Sequence, residues 1–366
     1  MSRPTQIRID LNALKHNCQL VKATAPDSQI VAAIKADAYG HGSVEVARTL
    51  QSEVARFAVS CLEEARHIRE EGIDVPLLLL EGCFSADEYT TCETLGIDVV
   101  VHCETQVAHL EAVTLCQPIH IWLKIDTGMH RLGVMPKHAL ALWARLSAIP
   151  HVTVSTLMTH FASADEIKNE LNARQLHRFM AVKQDIHEAS PDAIFSTSLA
   201  NSAALMSIPQ SCGDFVRPGI MLYGLSPFNG THAIADQLKP VMTFQSSVIA
   251  VRDIEPGEYV GYGNTWQAQR HSRIATIAAG YGDGYPRNAK SGTPILINGQ
   301  RAKLAGRVSM DMITADVTDL KEINIGDEVE LWGQNLNANE VAHWSDSSSY
   351  ELVTRMPTRT PKTFLG

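Results

Sequence analysis

Lys35 is the residue of this sequence whose setting most favours covalent chemistry. It follows an apolar run, 30–34, that has the length and composition of a buried strand. Such a strand delivers the amine to a sheltered position, where desolvation disfavours the ammonium and leaves the neutral nucleophile that imine formation requires. The nearby Gly40 and Gly42 permit close backbone approach, and the hydroxyl of Tyr39 can be offered to a phosphate. The segment therefore predicts an imine-forming lysine beside a phosphate site.

Further polar residues stand at or just after the ends of other apolar runs. These residues are Lys124, His160, Asn201, Ser202 and Arg217. Taken singly, each has an ordinary alternative, because a lysine or arginine at a strand end usually reaches solvent and a histidine there is often a satisfied core residue. In enzymes built on a parallel barrel, however, the carboxyl ends of the strands form one rim, and that rim carries the chemistry. Convergence of these residues on one rim favours a functional site.

The segment Arg217-Pro218-Gly219-Ile220 is a candidate phosphate-binding turn. Backbone N–H groups after the last strands of a barrel commonly bind phosphate, and Ser202 would face this turn from the preceding loop. On local sequence alone a plain turn remains the alternative. A dinucleotide-binding loop is not indicated, because no G-x-G-x-x-G occurs in the chain.

Two later segments place tyrosines among glycines. Tyr262 lies in 260–264 and Tyr281 lies in 280–287. Loops of this composition are usually tight hairpin corners, so their spacing alone does not assign them a function.

The elements that must position these residues are eight apolar runs that alternate with longer segments of helical period. The runs are 30–34, 57–61, 76–80, 97–101, 119–123, 152–157, 194–198 and 214–217. Near-continuous runs rich in β-branched residues suit strands buried on both faces, and helical segments such as 43–51 lie between them. Eight such units predict a (β/α)₈ TIM barrel, with a doubly wound sheet as the alternative architecture.

The pattern changes after about residue 233. Turns at Pro256-Gly257, Asn298-Gly299 and 325–327 separate strand-like runs, and long helical patterns are scarce. We therefore expect two domains, a barrel over 1–232 and a C-terminal mainly β domain over 233–366.

Composition excludes several classes of protein. The 366 residues carry 40 acidic and 31 basic side chains, a formal charge of −9, so no field favours nucleic acid. The seven cysteines are scattered and contain no C-x-x-C pair, which indicates neither a disulfide framework nor a zinc site and suits a reducing compartment. Without an apolar leader or a run long enough to cross a bilayer, we expect a cytoplasmic protein that does not enter membranes and binds no metal.

The sequence resembles the alanine racemases, enzymes that bind pyridoxal 5'-phosphate on a (β/α)₈ barrel followed by a β domain. The likeness begins at Ile34-Lys35-Ala-Asp-Ala-Tyr39-Gly-His-Gly42 and continues in order along the chain. The further matching segments are Leu123-Lys124-Ile-Asp-Thr-Gly-Met-His-Arg131-Leu-Gly133, Thr159-His160-Phe-Ala162, Asn201-Ser202-Ala203, Val216-Arg217-Pro-Gly-Ile220, Val260-Gly-Tyr262-Gly263, Gly280-Tyr281-Gly-Asp-Gly284 and Ser309-Met310-Asp311.

The resemblance implies a pair of catalytic bases. Lys35 would hold the cofactor as a Schiff base and serve as the base for the D enantiomer, while Tyr262 would serve the L enantiomer. Inversion at Cα requires removal of a proton on one face and delivery on the other, which agrees with two bases. In this family the tyrosine comes from the second subunit of a head-to-tail homodimer. The product would be D-alanine for peptidoglycan, or the enzyme would catabolise it.

The resemblance also implies binding roles for the remaining residues. The phosphate would be bound by Tyr39, Ser202, Gly219, Ile220 and Tyr350, and His160 and Asn201 would belong to the cofactor site. Arg217 would face the pyridine nitrogen of the cofactor, where many other pyridoxal enzymes have a carboxylate, and so disfavour decarboxylation and transamination.

Four residues would act on the substrate or around it. Arg131 would contact the phenolic oxygen of the cofactor and the carboxylate of alanine, and Met310 of the other subunit would donate its backbone N–H to that carboxylate. Tyr281 resembles the gate at the entrance. Lys124 matches a lysine that is often N-carboxylated and then steadies Arg131.

Two competing interpretations have weaker support. A noncatalytic pyridoxal phosphate carrier shares the barrel and its lysine but lacks the β domain that carries Tyr262. A decarboxylase of basic amino acids is similar in layout but has a carboxylate where this sequence has Arg217.

Overall fold

The chain starts outside the barrel, with a strand that leads into a helix. The computed structural model describes residues 3–366. Strand β1 (Gln6–Asp10) is followed at once by helix α1 (Leu11–Thr24). Asp10 caps this helix, since its side chain accepts the N–H of Ala13 at 2.9 Å.

Eight parallel strands then close into a barrel. They are β2 (Gln29–Ala33), β3 (Arg56–Val59), β4 (Leu77–Leu79), β5 (Ile97–Val101), β6 (Ile119–Lys124), β7 (Val152–Met158), β8 (Ser196–Asn201) and β9 (Phe215–Arg217). The ring closes where Ile30 of β2 pairs with Val216 of β9. Each strand corresponds to one of the eight apolar runs, so the barrel is confirmed and the doubly wound alternative is wrong.

The interior of the barrel is filled with side chains. A separate buried cluster takes one residue from each of seven strands, namely Val31, Ala58, Leu78, Val100, Trp122, Met158 and Phe215. This packing makes the barrel a solid core and leaves its carboxyl-terminal rim as the place where polar side chains gather.

Helices surround the barrel. They are α2 (Lys35–Gly40), α3 (Ser43–Leu50), α4 (Leu62–Glu70), α5 (Asp87–Leu95), α6 (Glu104–Ala112), α7 (Pro136–Ser147), α8 (Glu170–Ala189) and α9 (Ser202–Ser207). Helix α8 buries one face at helical spacing, including Asn172, Gln175, Phe179 and Val182. That face turns two polar amides toward the barrel.

The second part of the chain is mainly β. Its elements are β10 (Met242–Ile254), β11 (Tyr259–Val260), β12 (Trp266–Gln267), β13 (Ser272–Ile277), β14 (Pro294–Ile297), β15 (Gln300–Leu304), β16 (Ile313–Asp316), β17 (Glu328–Trp332), α10 (Ala338–Trp344), α11 (Ser349–Thr354) and β18 (Lys362–Leu365). Strands β10, β13, β16, β15, β14 and β17 pair in that order into a ring, because β17 pairs back to β10. The expected β domain is confirmed.

The first strand of the chain belongs to this second sheet. Strand β1 pairs antiparallel with β10 and parallel with β18. Its residues were expected to belong to the barrel domain, 1–232. The expected boundary between 232 and 233 stays a prediction.

One run is displaced along the sequence. The run 194–198 was expected to be a strand, whereas β8 begins at Ser196 and continues to Asn201. Ile194 is 95% exposed and lies in the connection after α8, so its apolar side chain contributed a misleading signal.

Candidate active site

A cavity of about 410 Å³ opens at the carboxyl-terminal rim of the barrel. This volume lies within the usual range for small-molecule sites, roughly 300–1,000 Å³. Eleven of the fourteen predicted site residues line it: Lys35, Tyr39, Lys124, Arg131, His160, Asn201, Ser202, Arg217, Gly219, Ile220 and Tyr350. The structure therefore brings these residues together, while the role of each one stays a prediction.

Lys35 is the first residue of α2, which is a single left-handed turn and not a right-handed α-helix. Ala36, Asp37, Ala38 and Tyr39 all have φ of 52 to 53°, in the left-handed region. Each non-glycine residue in that region costs about 1–2 kcal/mol, so local preference does not explain four in a row. Contacts with the rest of the molecule must hold the turn.

His41 is central to those contacts. Its Nδ1 lies 3.0 Å from the carbonyl oxygen of Ala38 and 2.9 Å from that of Tyr39. The ring stacks on Tyr223 with a centroid distance of 4.4 Å, and the Tyr223 hydroxyl donates to the Ala33 carbonyl at 2.7 Å. Burial lowers the pKa of His41 to about 4, so the ring is neutral and its Nδ1–H donates to the turn.

The second domain closes over the same turn. A β-carbon on Gly40 would lie 1.9 Å from the carbonyl oxygen of Val353 in α11. Lys362 of β18 forms an ion pair with Asp37. The cofactor-lysine turn predicted from the sequence is thus held by residues more than 300 positions away.

Burial and neighbouring charges both change the pKa of the Lys35 amine. Burial lowers its pKa below the ordinary 10.5, and the positive charge of Arg131 lowers it further. Glu64 lies close by, since its Oε1 accepts the N–H of Ala36 at 2.7 Å. The carboxylates of Glu81 and Glu64 oppose this effect in part, and the net result is a lowered pKa.

Arg217 is a buried cation without a carboxylate among its hydrogen-bond acceptors in the described residues. Its guanidinium donates to Ser198 Oγ at 2.6 Å and to the Thr159 carbonyl at 2.5 Å. Burial lowers its pKa to about 10, which still leaves it charged at neutral pH. His160 lies beside it, with Nδ1 3.4 Å from Arg217 Nη2, and burial followed by the Arg217 charge lowers the pKa of His160 well below 6.5.

Three hydroxyl groups gather at one end of the cavity, and we call them the hydroxyl cluster: Tyr39, Ser202 and Tyr350. Ser202 Oγ accepts the N–H of Gly219 at 2.8 Å, and the rings of Tyr39 and Tyr350 lie 6.3 Å apart. Burial raises the pKa of Tyr39 to about 12 and also raises that of Tyr350. Both phenols therefore stay protonated and can donate hydrogen bonds to an anion.

Lys124 also lines the cavity and is buried at the end of β6. Burial lowers its pKa to about 8, with smaller effects from the charges of Arg217 and Arg131. Arg131 follows on a loop that the side chain of Asp126 holds, accepting the N–H groups of Gly128 and His130 at 3.0 and 3.1 Å.

The other three predicted residues lie outside this cavity, on the second domain. In the single chain Tyr262 is 74% exposed, and Met310 and Tyr281 are exposed as well. The loops that carry Tyr281 and Met310 are bound to each other, because the N–H of Gly282 donates to the Met310 carbonyl at 2.8 Å. Buried Asp283 fixes this pair of loops through Arg359, whose Nε donates to it at 2.9 Å.

Sequence reasoning missed part of the cavity lining. Glu81, Leu132 and Met158 also face the cavity. Glu81 follows the apolar run 76–80, so the rule that found Lys35 and Lys124 could have found it too. Leu132 and Met158 carry no chemical signal that would have distinguished them.

Residues 3–366 contain neither a metal-binding cluster nor a membrane-spanning helix. No group of three or more His, Cys, Asp or Glu side chains in this range is arranged to hold a metal ion. None of its helices is both long and apolar enough to span a membrane.

Comparison with known proteins identifies the family. Family models described as the N-terminal and C-terminal domains of alanine racemase match residues 9–227 and 241–364. The chain is 48% identical to the alanine racemase of Pseudoalteromonas atlantica, and the match covers both chains completely. The crystal structure of the biosynthetic alanine racemase from Pseudomonas aeruginosa superposes with a TM-score of 0.94 at 44% identity and full coverage of both chains. The structure of alanine racemase from Acinetobacter baumannii gives a TM-score of 0.93 at 37% identity, over 99% of this chain and 100% of the other. The chain belongs to the alanine racemase family.

Proposed function

We propose that this protein interconverts L- and D-alanine with pyridoxal 5'-phosphate bound at the rim cavity and with two bases on opposite faces of the substrate. The observation that carries the proposal is the single cavity in which the amine of Lys35 lies together with Arg131, Arg217 and the hydroxyl cluster. Family membership supports the same reaction.

The residues of the cavity suit the cofactor. The hydroxyl cluster offers protonated donors to a phosphate monoester, since burial keeps the Tyr39 and Tyr350 phenols from ionising. Gly219 leaves room there, because a β-carbon at its position would lie 2.5 Å from the Tyr39 oxygen. Gly219 and Ile220 would bring their backbone to the same phosphate. Lys35, which lines the same cavity, would hold the aldehyde carbon.

Arg217 and His160 would define the environment of the pyridine nitrogen, with Asn201 beside them. Asn201 Nδ2 lies 3.4 Å from His160 Nε2, and His160 Nδ1 lies 3.4 Å from Arg217 Nη2. A guanidinium that remains charged disfavours a second positive charge nearby, so Arg217 would keep the pyridine nitrogen unprotonated. When bound, the cofactor withdraws electrons from Cα and so acidifies its proton. A less electron-poor ring restrains that effect and would favour proton return over decarboxylation or transamination.

Lys35 would exchange the proton on one face of Cα. Its lowered pKa eases release of the ammonium proton, and the resulting amine would accept the proton of the D enantiomer and donate it back. Tyr262 would act on the opposite face and remove the proton of the L enantiomer. Because Tyr262 lies outside the cavity and is exposed in the single chain, we propose that it reaches the cavity of a second copy in a homodimer.

The substrate carboxylate would bind to Arg131 and to the backbone N–H of Met310 from the partner copy. Met310 is 53% exposed, as a residue that completes a neighbouring site would be. Tyr281, on the loop bound to that of Met310, would line the entrance. A small pocket around the carboxylate and Cα would select alanine among amino acids.

Lys124 would position Arg131 after reaction with carbon dioxide. Its nitrogen attacks the carbon of CO₂ and loses a proton, which converts a buried amine into a carbamate anion that can bind a guanidinium. The lowered pKa of about 8 supports this, since only the neutral amine reacts. A carbamate between Arg131 and Arg217 would also reduce the repulsion among the cations that surround Lys124.

Mixing of two inactive variants tests both the bases and the dimer. Lys35→Ala and Tyr262→Phe chains are each expected to be inactive alone. If each site takes Lys35 from one chain and Tyr262 from the other, a mixed dimer contains one site with both residues intact. Random reassociation should then restore about a quarter of the wild-type racemisation of alanine. No recovery in dimers shown to be mixed would mean that the tyrosine acts within its own chain or not at all.

A further inference from the structure

Gln175 is a buried polar residue of helix α8 that does not line the cavity, yet its amide reaches two segments that do. It is 0% exposed. Its Nε2 donates to Thr127 Oγ1 at 3.1 Å and to the His160 carbonyl at 3.0 Å. Its Oε1 accepts the N–H of Ala162 at 3.0 Å. Both amide protons and the amide oxygen are thus occupied, which fixes the orientation of the side chain.

The hydrogen bonds continue in one direction beyond Thr127. Its hydroxyl accepts from Gln175 and lies 2.7 Å from the hydroxyl of Thr159, which donates to the Ile125 carbonyl at 2.8 Å. Because the single hydroxyl proton of Thr159 goes to the Ile125 carbonyl, Thr127 must donate its own hydroxyl proton to Thr159. This buried chain has one consistent arrangement of protons and resists displacement.

Thr127 lies at the start of the loop that carries Arg131, and helix α8 fixes it there by hydrogen bonds. The base of the loop is closed by the N–H of Asp126 donating to the Val134 carbonyl at 2.9 Å. Arg178 of α8 donates to the Thr127 carbonyl at 2.9 Å. Next along the chain, a β-carbon on Gly128 would lie 3.4 Å from Cγ of Gln175, so the loop packs directly on the helix.

The second proton of the Gln175 amide binds the segment that carries His160. This proton is donated to the carbonyl oxygen of His160. The ring Nδ1 of His160 lies 3.4 Å from Nη2 of Arg217. Arg217 in turn donates to the carbonyl of Thr159, the next residue back along the chain. One amide therefore ties the segment 159–160 to the start of the Arg131 loop.

We propose that Gln175 is a positioning residue that sets the distance between the Arg131 loop and the pair formed by His160 and Arg217, and thereby determines the affinity of the site for a carboxylate. The proposal rests on the function proposed above for Arg131. Gln175 acts through Thr127 and His160 and touches no substrate itself. Its loss should weaken binding of the carboxylate more than it slows proton transfer at Cα.

The test compares Gln175→Glu with wild-type holoenzyme. An ionised glutamate has the same shape but no proton to donate, and it would face two acceptors, Thr127 Oγ1 and the His160 carbonyl. We expect KM for alanine to rise about tenfold while kcat changes less than about threefold, as for an interaction that mainly positions a binding group. Acetate, titrated against the visible absorption of the bound cofactor, should lose affinity by about the same factor.

Asn172→Asp is the matched control. Asn172 lies one turn earlier on the same buried face of α8, and its Nδ2 donates to the carbonyls of Ser163 and Glu166 at 3.1 Å. This substitution also replaces an amide by a carboxylate, but the hydrogen bonds of Asn172 go to neither Thr127 nor His160. It should lower the melting temperature and leave KM and acetate affinity unchanged.

A second pair of variants covers the case in which Gln175→Glu does not fold. Thr127→Val removes the hydroxyl at nearly constant shape and should reproduce the rise in KM and the loss of acetate affinity, whereas Thr127→Ser should restore both. If the variants at 127 and 175 lose stability but bind acetate as tightly as Asn172→Asp does, the proposal is wrong. An inactive wild-type enzyme would instead refute the proposed function, and acetate binding would still decide the role of Gln175.

Discussion

The hydroxyl of Tyr39 lies directly against the backbone of Gly219. A β-carbon added at Gly219 would stand 2.5 Å from the phenolic oxygen and 3.1 Å from the ring carbon that bears it. Both separations are too short for ordinary contact, so any side chain at this position would displace the tyrosine from the hydroxyl cluster.

We therefore expect Gly219→Ala to weaken the binding of pyridoxal phosphate to the apoenzyme by about tenfold, the effect of losing one charge-assisted hydrogen bond. Fluorescence titration of the apoenzyme with the cofactor measures this. In a Tyr39→Phe background the clash with the oxygen is absent, so the same substitution should cost less. An equal loss in both backgrounds would contradict the steric explanation.

Tyr262→Phe should bind cofactor normally and lose proton exchange at Cα of L-alanine by about 10² to 10⁴-fold, the usual contribution of a general base. Deuterium incorporation into each enantiomer in D₂O separates the two directions. Exchange from D-alanine, assigned to Lys35, should be less impaired. Tyr259→Phe is the control, because this tyrosine is also exposed and lies three residues away. Wild-type exchange in the Tyr262 variant would rule out the two-base scheme.

Removal of carbon dioxide should lower kcat/KM for alanine, because without a carbamate Lys124 is a cation next to Arg131. We expect about a tenfold loss, the scale of one interaction with a charged group, and recovery on addition of bicarbonate. The bicarbonate needed should fall as pH rises through about 8, since the neutral fraction of Lys124 then increases. Carbon-13 spectra with labelled bicarbonate should show a carbamate signal in the wild type and none in Lys124→Ala. A wild type that lacks the signal would refute the modification.

The barrel and most of its rim could be predicted from sequence because their physical signals are local. Strands buried on both faces are continuous apolar runs, and the polar residues that end them, such as Lys35, Lys124 and Arg217, stand out against that background. The eight strands of the barrel were all identified in this way. Most of the runs match their strands to within one or two residues, and the largest displacement is at β8, which follows the exposed apolar residue Ile194.

Features that depend on distant contacts could not be predicted. Nothing in Ala36 or Ala38 indicates a left-handed turn, which depends on Val353, Lys362 and buried His41. Likewise, Gln175 is by type a residue expected on the exposed face of a helix. Only the folded chain reveals that it is enclosed and bound to Thr127 and His160.

His41 should make the protein sensitive to acid. In the folded state its pKa is lowered to about 4, mainly by burial, with a smaller lowering by Lys362 and opposing effects of Asp37 and of two backbone carbonyls. In the unfolded chain the ring has an ordinary pKa of 6.5. At pH values between these two, His41 is protonated in the unfolded state and neutral in the folded state. Its contribution to the free energy of unfolding is therefore fully present above pH 6.5 and is lost as the pH falls toward 4. His160, whose pKa is also lowered, adds a change of the same sign.

Urea unfolding of the apoenzyme at fixed chain concentration measures this effect. From the His41 shift, the free energy of unfolding should be about 2 kcal/mol lower at pH 5 than at pH 7. His41→Asn removes the titrating ring and retains a donor for the turn, so its pH dependence should be smaller by that amount. His120→Asn, a change at an exposed position on β6, should leave the wild-type dependence intact. If the His41 variant lost stability with acid as steeply as the wild type, burial of a neutral ring at this position would not be the cause, and the acid sensitivity would have to come from His160 or from the carboxylates of the surface ion pairs.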